Sequence, residues 1–430
     1  MKKDNRFTTF IWINVIAVSY ALVCFYLGSS WINELTGVTG NKIFSVLIVL
    51  FIAIIPGYLN ILLLASLYFY KYVPARIKPS AFPPINLLIA AYNEEDSVAE
   101  MLRGLRNQTY PNKVDILVID DGSTDHTIER LKKAKMPNLR IINAPHGGKA
   151  AALNLGLKEC EHDIIVTIDA DTFLHRRALR AIVARLLMRE DYAAVAGDVL
   201  VKNERMSRLA RMQAWDYMLG ISSVKRQQSM FHGTLVAQGA FSAFRKKAVM
   251  DLKGWQDCIG EDIVLTWALL KAGWNIGYEP KAFAFTNAPL EFGRFSRQRE
   301  RWARGMIEGF KNHLDILWTR RDFSTYFVAL NTLFPVIDFF YTFVFLPGLI
   351  LAFFGHFYIV GLFTLFVIPI NICVVLMMIE NQKRFMRYAG LRFRENSIGL
   401  SVYIVLYQFL MSPICVKGYF QEFFRLKRKW

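Results

Sequence analysis

Long apolar stretches lie at both ends of the chain and leave ordinary mixed sequence between them. Runs with few or no charges occupy residues 7–33, 44–70, 325–354, 357–379 and 397–416. Each run is long enough, or nearly so, to cross a hydrocarbon layer of roughly 30 Å as a helix. The pattern predicts two membrane helices in residues 1–71, a globular domain in 72–323, and a C-terminal membrane region with two or three spans in 324–430.

A cleaved signal peptide is the alternative for the first run, because Lys2, Lys3 and Arg6 resemble its charged leader. The run is long, however, lacks a small-residue cleavage pattern and is followed at once by a second apolar run. We therefore expect a membrane helix.

Basic residues at the ends of the runs indicate which side the globular domain faces. Short loops rich in lysine and arginine stay in the cytoplasm, and the second run is followed by Lys71, Arg76 and Lys78. Another basic loop follows the fourth run and contains Lys383, Arg384, Arg387, Arg392 and Arg394. The globular domain is therefore expected in the cytoplasm, in a multi-pass protein of the inner (plasma) membrane.

The fifth run leaves two topologies open. A full crossing through 397–416 would place the basic residues of 425–429 outside, against the same rule. A hairpin or interfacial segment broken near Ser412-Pro413 would keep them inside.

Short apolar runs of strand type alternate with amphipathic helical patterns in the globular domain. The predicted strands cover 85–91, 114–120, 140–145 and 163–169. Strands separated by helices of this length form a mostly parallel sheet with helices on both faces. The predicted fold class is a Rossmann-like α/β domain joined to an α-helical transmembrane region.

The amino-acid composition agrees with the division into apolar ends and a globular domain, and it limits the classes of binding partner to consider. Hydrophobic residues make up 54% of the 430 residues and aromatic residues 14%, which is rich for a soluble protein. Nucleic acid, anionic lipid or a charged small substrate would each suit the net charge of +17. Because much of that charge flanks the apolar runs, membrane lipids explain a large share and no nucleic-acid partner is expected. The five cysteines are scattered without CxxC spacing and suggest neither disulfides nor a zinc site.

Polar side chains follow the predicted strands at the ends where open parallel sheets bind ligands. They are Asn93, Glu94, Glu95, Asp120, Asp121, Asp169 and Asp171. Carboxylates in this pattern suit Mg²⁺ or Mn²⁺, which use few protein ligands and bridge substrate phosphates. The segment "HGGKAA" adds glycine amides, a helix start and Lys149, which suit a diphosphate. A nucleotide diphosphate with a divalent cation is therefore the expected ligand.

The arginine-rich segment "RFSRQRERWARG" at 294–305 precedes the C-terminal apolar region. Its helical pattern of aromatic residues with arginines between them fits an amphipathic helix at the lipid headgroups. The same segment also contains Gln298, Arg301 and Trp302, which are candidates for chemistry.

The order of these motifs resembles the family 2 glycosyltransferases, inverting enzymes of GT-A fold that use nucleotide sugars. The resemblance covers about 85–305 and rests on "AYNEE", "VIDDGSTD", "DADT", "IGEDIVLTW" and "QRERW". The flanking helices match the membrane-embedded processive synthases of cellulose, hyaluronan, chitin oligosaccharides and poly-β-1,6-N-acetylglucosamine. The stretches "SSVKRQQ", "GAFSAFRK" and "MMIENQKR" are most similar to the last group, so UDP-N-acetylglucosamine is the favoured donor.

The resemblance implies a role for each motif. Residues expected to hold the donor nucleotide are Tyr92, Glu94, Asp121, Lys149, Asp169, Gln298 and Arg301. Asp171 is expected to be the principal metal ligand, joined by Asp169. Residues expected at the acceptor are Gly239, Ala240, Ser242, Glu261 and Trp302. A buried strand is the alternative for 236–245, because its small residues and phenylalanines fit either reading.

The family's Thr-Glu-Asp motif is present as Gly260, Glu261 and Asp262, and it implies that Asp262 is the general base. The glycine in place of threonine leaves open how this loop is braced. The alternative is a helix N-terminus carrying acids that the helix dipole favours.

The implied function is that of a hexosyltransferase that extends a β-linked polysaccharide processively, with inversion, and passes the polymer across the membrane. A hyaluronan- or chitin-oligosaccharide-type synthase is an alternative. A single-transfer enzyme acting on a lipid carrier would not be expected to carry "QRERW". An inactive membrane carbohydrate-binding scaffold would need no catalytic aspartate. Similar synthases can work with a small membrane accessory subunit, and the sequence does not decide whether this one does.

Overall fold

The computed structural model describes residues 5–393 and 396–426. Some basic residues used above for topology lie outside the described residues, namely Lys2, Lys3, Arg394, Lys427, Arg428 and Lys429.

An eight-stranded mixed sheet forms the centre of the globular domain. Its strands are β1 (Ile85–Ala91), β2 (Val114–Asp120), β3 (Leu139–Asn143), β4 (Ile164–Asp169), β5 (Phe173–Leu174), β6 (Tyr192–Val201), β7 (Phe241–Arg245) and β8 (Asn275–Thr286). They lie in the order β3-β2-β1-β4-β7-β6-β8-β5. The four predicted strands are present and pair in parallel, so the α/β prediction is confirmed. The sheet becomes mixed because β7 runs antiparallel to both β4 and β6.

The helices surround this sheet and continue into the apolar regions. The N-terminal helices are α1 (Arg6–Leu27), α2 (Ser29–Thr39), α3 (Lys42–Val49) and α4 (Ile55–Phe69). The globular domain has α5 (Val98–Arg106), α6 (Thr127–Lys133), α7 (Lys149–Glu159), α8 (Ala178–Leu187), α9 (Arg208–Asp216), α10 (Val224–Ser229), α11 (Lys246–Asp251), α12 (Glu261–Lys271), α13 (Phe292–His313) and α14 (Ile316–Thr319). The C-terminal helices are α15 (Phe323–Asn331), α16 (Leu333–Phe340), α17 (Leu346–Phe353), α18 (Leu362–Tyr388) and α19 (Ser397–Phe423).

Short irregular turns join several of these helices. π-helical turns connect α3 to α4 at Leu50–Ile54, α9 to α10 at Tyr217–Ser223, and α16 to α17 at Tyr341–Phe345. A single 3₁₀ turn at Pro79–Ala81 precedes the sheet.

The strands are buried on both faces, as expected when helices cover a sheet on both sides. Leu87 and Ile89 belong to the core on one side and Leu88 to the core on the other, with α7 against it. Gly156 allows α7 to come close, because a Cβ there would lie 2.1 Å from Leu88 Cδ1. This packing fixes the start of α7, where Lys149 lies, above the sheet.

Four helical stretches in the described part of the chain are long and apolar enough to cross a membrane. They are Arg6–Leu27, Lys42–Phe69, Phe323–Phe353 and Ser397–Phe423. The predicted run at 357–379 falls mostly within α18, a helix of 27 residues outside this set.

The last helix corrects one of the two topologies left open for the fifth run. α19 continues without interruption through Pro413, so the break near Ser412-Pro413 that one of the two alternatives required is not present. Ser412 is fully buried, and its hydroxyl donates to Asp338 of α16 at 2.7 Å. Tertiary packing around Ser412 therefore accompanies a helix that continues through Pro413, where the sequence alone leaves a break open.

Candidate active site

The candidate residues gather at one edge of the sheet because parallel strands end there together. Asp169 at the end of β4 lies beside Ala90 of β1, and Ala91 lies beside Asp120 of β2. β7 runs the opposite way, so the loop that precedes it reaches the same edge. Asp169 N–H donates to the carbonyl of Ala240 in that loop at 3.4 Å.

Lys149 lies at the centre of this edge and joins two motifs that are far apart in sequence. Its Nζ lies 2.6 Å from Asp169 Oδ1 and 3.4 Å from Glu261 Oε1. Burial alone would lower the pKa of Lys149, but Asp169, Glu261 and Asp262 outweigh it and raise the pKa. The ammonium is therefore charged, and it lies where an anionic substrate group would compete with these carboxylates.

Gly239 leaves the space that this ammonium occupies. A Cβ at position 239 would lie 2.5 Å from Lys149 Nζ. The amide of Gly239 also donates to Asp262 Oδ2 at 3.4 Å. Asp262 stands in the first turn of α12, where its Oδ1 accepts from the amide of Ile263 at 2.8 Å. The predicted base therefore lies beside the predicted acceptor loop.

Ser242 differs from its neighbours in the predicted acceptor group. It lies within β7 with no exposed surface, and its hydroxyl donates to the carbonyl of Gln238 at 2.8 Å. The buried-strand alternative therefore fits Ser242, while Gly239 and Ala240 remain partly exposed in the loop before the strand.

Tyr92 and Asp121 form a separate part of the edge together with His146. The rings of Tyr92 and His146 stack with centroids 4.4 Å apart. Asp121 is buried and accepts from the amides of Gly147 and Gly148 at 2.8 and 2.9 Å, while His146 Nδ1 lies 2.9 Å from its Oδ2. The two glycine amides expected to hold a diphosphate thus hold Asp121 in this structure.

The carboxyl groups of Glu94, Asp169 and Asp171 lie close together at the DAD motif. Burial, followed by Asp171 and then Asp169, raises the pKa of Glu94 to about 7. Burial and then Asp169 also raise the pKa of Asp171, although Thr286 Oγ1 donates to it at 3.1 Å.

A divalent cation would relieve this repulsion, so the residues present fit such an ion. Among the described residues, no group of three or more His, Cys, Asp or Glu side chains is arranged to hold a metal by protein ligands alone. Asp169 and Asp171 would therefore share the ion with substrate phosphates.

The glycine that replaces the family's threonine makes a close backbone contact with α13. A Cβ at Gly260 would lie 2.6 Å from the Cα of Gly305. The amide of Gly260 also donates to Glu308 Oε2 at 2.8 Å. The bracing of the Gly260 loop, left open by the sequence, comes from the helix that carries "QRERW".

The residues of "QRERW" have different environments on α13. Arg299 is 2% exposed, lies 2.8 Å from Asp216 Oδ2, and stands 4.1 Å from the ring centre of Trp302. Trp302 is half-buried, whereas Arg301 is exposed and has no ion pair within the described ranges. Gln298 Oε1 is buried without a hydrogen-bond partner there. Neither Gln298 nor Arg301 makes a hydrogen bond or ion pair with Lys149 or the aspartates in the part of the chain that is described.

Two residues of this site were missed by the sequence reasoning. The sequence shows His146 only as part of "HGGKAA" and Arg299 only as one of many basic residues. The partners of His146, and the ion-pair partner of Arg299, lie far away in sequence, so no local pattern indicates these contacts.

The fold and site define a class of protein. Residues 83–305, more than half of the chain, match the family described as "Glycosyltransferase like family 2". The chain belongs to this family, and its globular domain has the GT-A fold.

Two curated proteins are similar to this chain in sequence. The chain is 32% identical over 267 residues to the poly-β-1,6-N-acetyl-D-glucosamine synthase of Staphylococcus aureus (strain MSSA476). The aligned region covers 59% of this chain and 64% of that relative. It is 33% identical over 224 residues to the synthase of the same name from Staphylococcus epidermidis, which covers 51% and 54%. The aligned part of the chain thus spans less than two thirds of the length of these relatives.

A solved structure shares the fold at low sequence identity. It is a mannosyltransferase from Pyrobaculum calidifontis in complex with GDP-Man and Mn²⁺, with a TM-score of 0.56 and 16% identity, and the match covers 96% of this chain and 100% of that one.

Proposed function

We propose that the chain is a membrane-embedded synthase that transfers N-acetylglucosamine from its UDP donor to a growing β-linked polysaccharide, with inversion, and passes the polymer across the membrane. The observation that carries the proposal is the position of Lys149, between Asp169 of the DAD motif and Glu261 next to Asp262. It unites a diphosphate-binding cation, a metal-binding carboxylate and the proposed base. The poly-β-1,6-N-acetyl-D-glucosamine synthases named above support the choice of sugar.

The proposed reaction transfers one proton and releases one leaving group. The acceptor hydroxyl attacks the anomeric carbon, Asp262 takes the hydroxyl proton, and the bond from that carbon to the diphosphate oxygen breaks to release UDP. Lys149 and Arg301 balance the charge that develops on the diphosphate. A divalent cation held by Asp169 and Asp171 would supply further charge neutralisation there, and the mannosyltransferase of the same fold is itself bound to Mn²⁺.

The other residues of the site would bind the nucleoside and the terminal sugar. Tyr92, Glu94 and Asp121 would bind uracil and ribose, and Gln298 would contribute next to the diphosphate. Trp302 would stack on the terminal sugar, because an aromatic face suits the apolar face of a pyranose. Arg299 stands 4.1 Å from the centre of the Trp302 ring and helps to hold the indole in place.

The membrane arrangement that we propose has four crossings, by α1, α3–α4, α15–α17 and α18. α4 and α18 run in the same direction, because Asn60 bonds to Asn371 at 2.8 Å and Asn381 bonds to the carbonyl of Leu67 at 3.3 Å. Both helices therefore end on the side of the catalytic domain, where the positive-inside rule also places Lys71 and Arg384.

The test is to incubate the purified full chain in detergent with individual radiolabelled UDP-sugars and Mn²⁺, and to digest the product with linkage-specific hydrolases. A polymer made from UDP-N-acetylglucosamine and cut by a β-1,6-specific enzyme is expected. Polymer from another UDP-sugar would favour a hyaluronan- or chitin-type synthase, and a single sugar on a lipid carrier would overturn processivity. Processivity has its own test in Trp302→Ala, which should shorten the product while donor hydrolysis continues. An unchanged product length would mean that Trp302 only packs at the interface.

A further inference from the structure

A cleft of about 470 Å³ lies between α10 and the ends of α4 and α18, and the function proposed above does not use it. Its lining includes the aromatic residues Tyr70, Phe385 and Tyr388 and the basic residues Lys71, Arg226 and Arg384. In the described part of the chain, no carboxylic acid lines it. The cleft is therefore strongly cationic and aromatic.

Arg226 is the buried cation of this cleft. It is 2% exposed, and its guanidinium lies 4.6 Å from the ring centre of Tyr70 and 4.1 Å from that of Phe385. Its Nη1 donates to the side-chain oxygens of two neutral residues, Gln382 and Asn381. Its Nε is buried without a hydrogen-bond partner.

The charge of Arg226 lacks a counterion among the residues that the structure describes. Across residues 5–393 and 396–426, no carboxylate lies within 4 Å of its guanidinium, and Asp198, which influences it from farther away, accepts a hydrogen bond from Ser222. Burial lowers the pKa of Arg226 to about 10, which still leaves the group charged at neutral pH. A buried charge without a partner is strongly unfavourable, so an anion in the cleft would satisfy both the charge and the free Nε.

The position of the cleft indicates the source of that anion. α4 ends at Phe69, directly before Tyr70 and Lys71, so the cleft lies at the headgroup level if α4 crosses the membrane as proposed above. Tyrosine and basic residues are enriched at that level. Arg384 pairs with Glu380 at 2.8 Å, whereas Lys71 is exposed and has no ion pair in the described ranges.

We propose that this cleft binds the phosphate of an anionic phospholipid. Arg226 and Lys71 contact the phosphate oxygens, and the aromatic side chains pack against the glycerol and the upper acyl chains. The inference rests on the membrane placement of α4 and not on the identity of the sugar.

The test measures the melting temperature of the full chain in dodecyl maltoside during titration with short-chain phosphatidylglycerol, short-chain phosphatidylcholine or inorganic phosphate. Phosphatidylglycerol is expected to raise the Tm with saturation, and phosphatidylcholine to have little effect. Arg226→Gln and Lys71→Gln should each weaken phosphatidylglycerol binding about tenfold, the size expected for loss of a charged hydrogen bond. Arg387→Gln, on α18 but outside the lining, is the matched control and should bind like the unmodified chain.

Three results would overturn the proposal. These are equal stabilisation by phosphatidylcholine, undiminished binding in Lys71→Gln, and full stabilisation by inorganic phosphate with no further gain from the lipid. Lys71 is exposed, so Lys71→Gln keeps the test decisive if Arg226→Gln fails to fold. Retention of the protein in carbonate-washed membranes checks the placement of α4 separately, and polymer synthesis checks the proposed function.

Discussion

Asp262, the proposed general base, is held in position by hydrogen bonds from two backbone amides. Its two oxygens accept from the amides of Gly239 and Ile263, which orient the carboxylate. Within the described ranges, no cation forms an ion pair with it. Asp262→Asn keeps the shape and removes the base, so polymer formation should fall by about a thousandfold while UDP affinity changes little. Sugar incorporation and UDP calorimetry measure the two effects. The exposed Asp251→Asn serves as a control, and retained turnover in Asp262→Asn would exclude it as the base.

Asp171 is the proposed principal ligand of the divalent cation, and its removal should change how Mn²⁺ affects donor binding. Its half-buried carboxylate lies near Asp169 and Glu94, so removing it should relieve the repulsion and also remove the metal site. Asp171→Ala is expected to bind the UDP-sugar equally with and without Mn²⁺, whereas the unmodified chain should bind it more tightly with Mn²⁺. Asp96→Ala is the control, because the Asp96 side chain is 93% exposed. Mn²⁺-dependent binding that survives in Asp171→Ala would count against the metal site.

Some site residues could be placed from the sequence, because strand ends of a parallel sheet converge wherever the strands pair. Lys149 and Asp169 are such residues, and they lie 2.6 Å apart as this logic suggests. Ser242 could not be separated from a buried strand residue, since small residues suit both. Arg299 could not be placed either, because its environment depends on Asp216 in another helix.

At the scale of elements, α12 and α13 meet backbone to backbone at Gly260 and Gly305. A methyl group on Gly260 would lie 2.6 Å from the Cα of Gly305, which cannot move aside as a flexible side chain can. Gly260→Ala should therefore push the two helices apart, lower the free energy of unfolding by about 1–3 kcal/mol, and reduce transfer activity. Thermal unfolding and sugar incorporation measure this. Gly293→Ala in the first turn of α13 is the control, since a Cβ there meets its nearest neighbour, Arg297, at 3.8 Å. Equal stability of the two variants would contradict the contact.

The buried pair of Arg299 and Asp216 joins α13 to α9 beneath Trp302. Removing one member leaves a buried charge unpaired, so Arg299→Met should cost about 3–5 kcal/mol of stability, whereas the double variant Arg299→Met with Asp216→Leu should recover much of it. Denaturant unfolding of the single and double variants measures the coupling. If the pair also positions Trp302, the double variant should remain folded and yet make shorter polymer. Polymer of normal length would limit the pair to a structural role.

At the scale of the whole molecule, the hydrophobic pattern predicts the long apolar helices on either side of the globular domain more readily than it predicts the strand order of the sheet. The strands β1 to β4 have local signals, because each follows or precedes a helix along the chain. The pairing of β7 between β4 and β6 brings together segments far apart in sequence, and no periodicity records it. The position of α19 could not be predicted from its own sequence either, because it depends on contacts with distant helices.

These contacts place both ends of α19 against the catalytic domain. Its N-cap carbonyl, on Asn396, accepts from Trp215 Nε1 at 3.2 Å, and Glu422 in its last turn lies 3.2 Å from Arg304 and 3.1 Å from Lys311 of α13. If the catalytic domain lies on the cytoplasmic side, as proposed above, a helix held in this way would lie along the interface and would not carry its end across the membrane. We therefore expect the residues after α19 to remain in the cytoplasm, as the positive-inside rule also requires.

A cysteine at position 425 tests this in a chain whose five native cysteines are replaced by serine. An impermeant maleimide should label Arg425→Cys in inverted membrane vesicles and not in right-side-out vesicles. Asp96→Cys in the catalytic domain should behave in the same way, and Glu34→Cys, between the first two apolar runs, should behave in the opposite way. If Arg425→Cys followed Glu34→Cys, α19 would be a full crossing, and the contacts of Glu422 with α13 could not exist in the membrane-bound protein. Labelling that follows Asp96→Cys would instead make α19 the support that holds the "QRERW" helix against the catalytic domain from the membrane side.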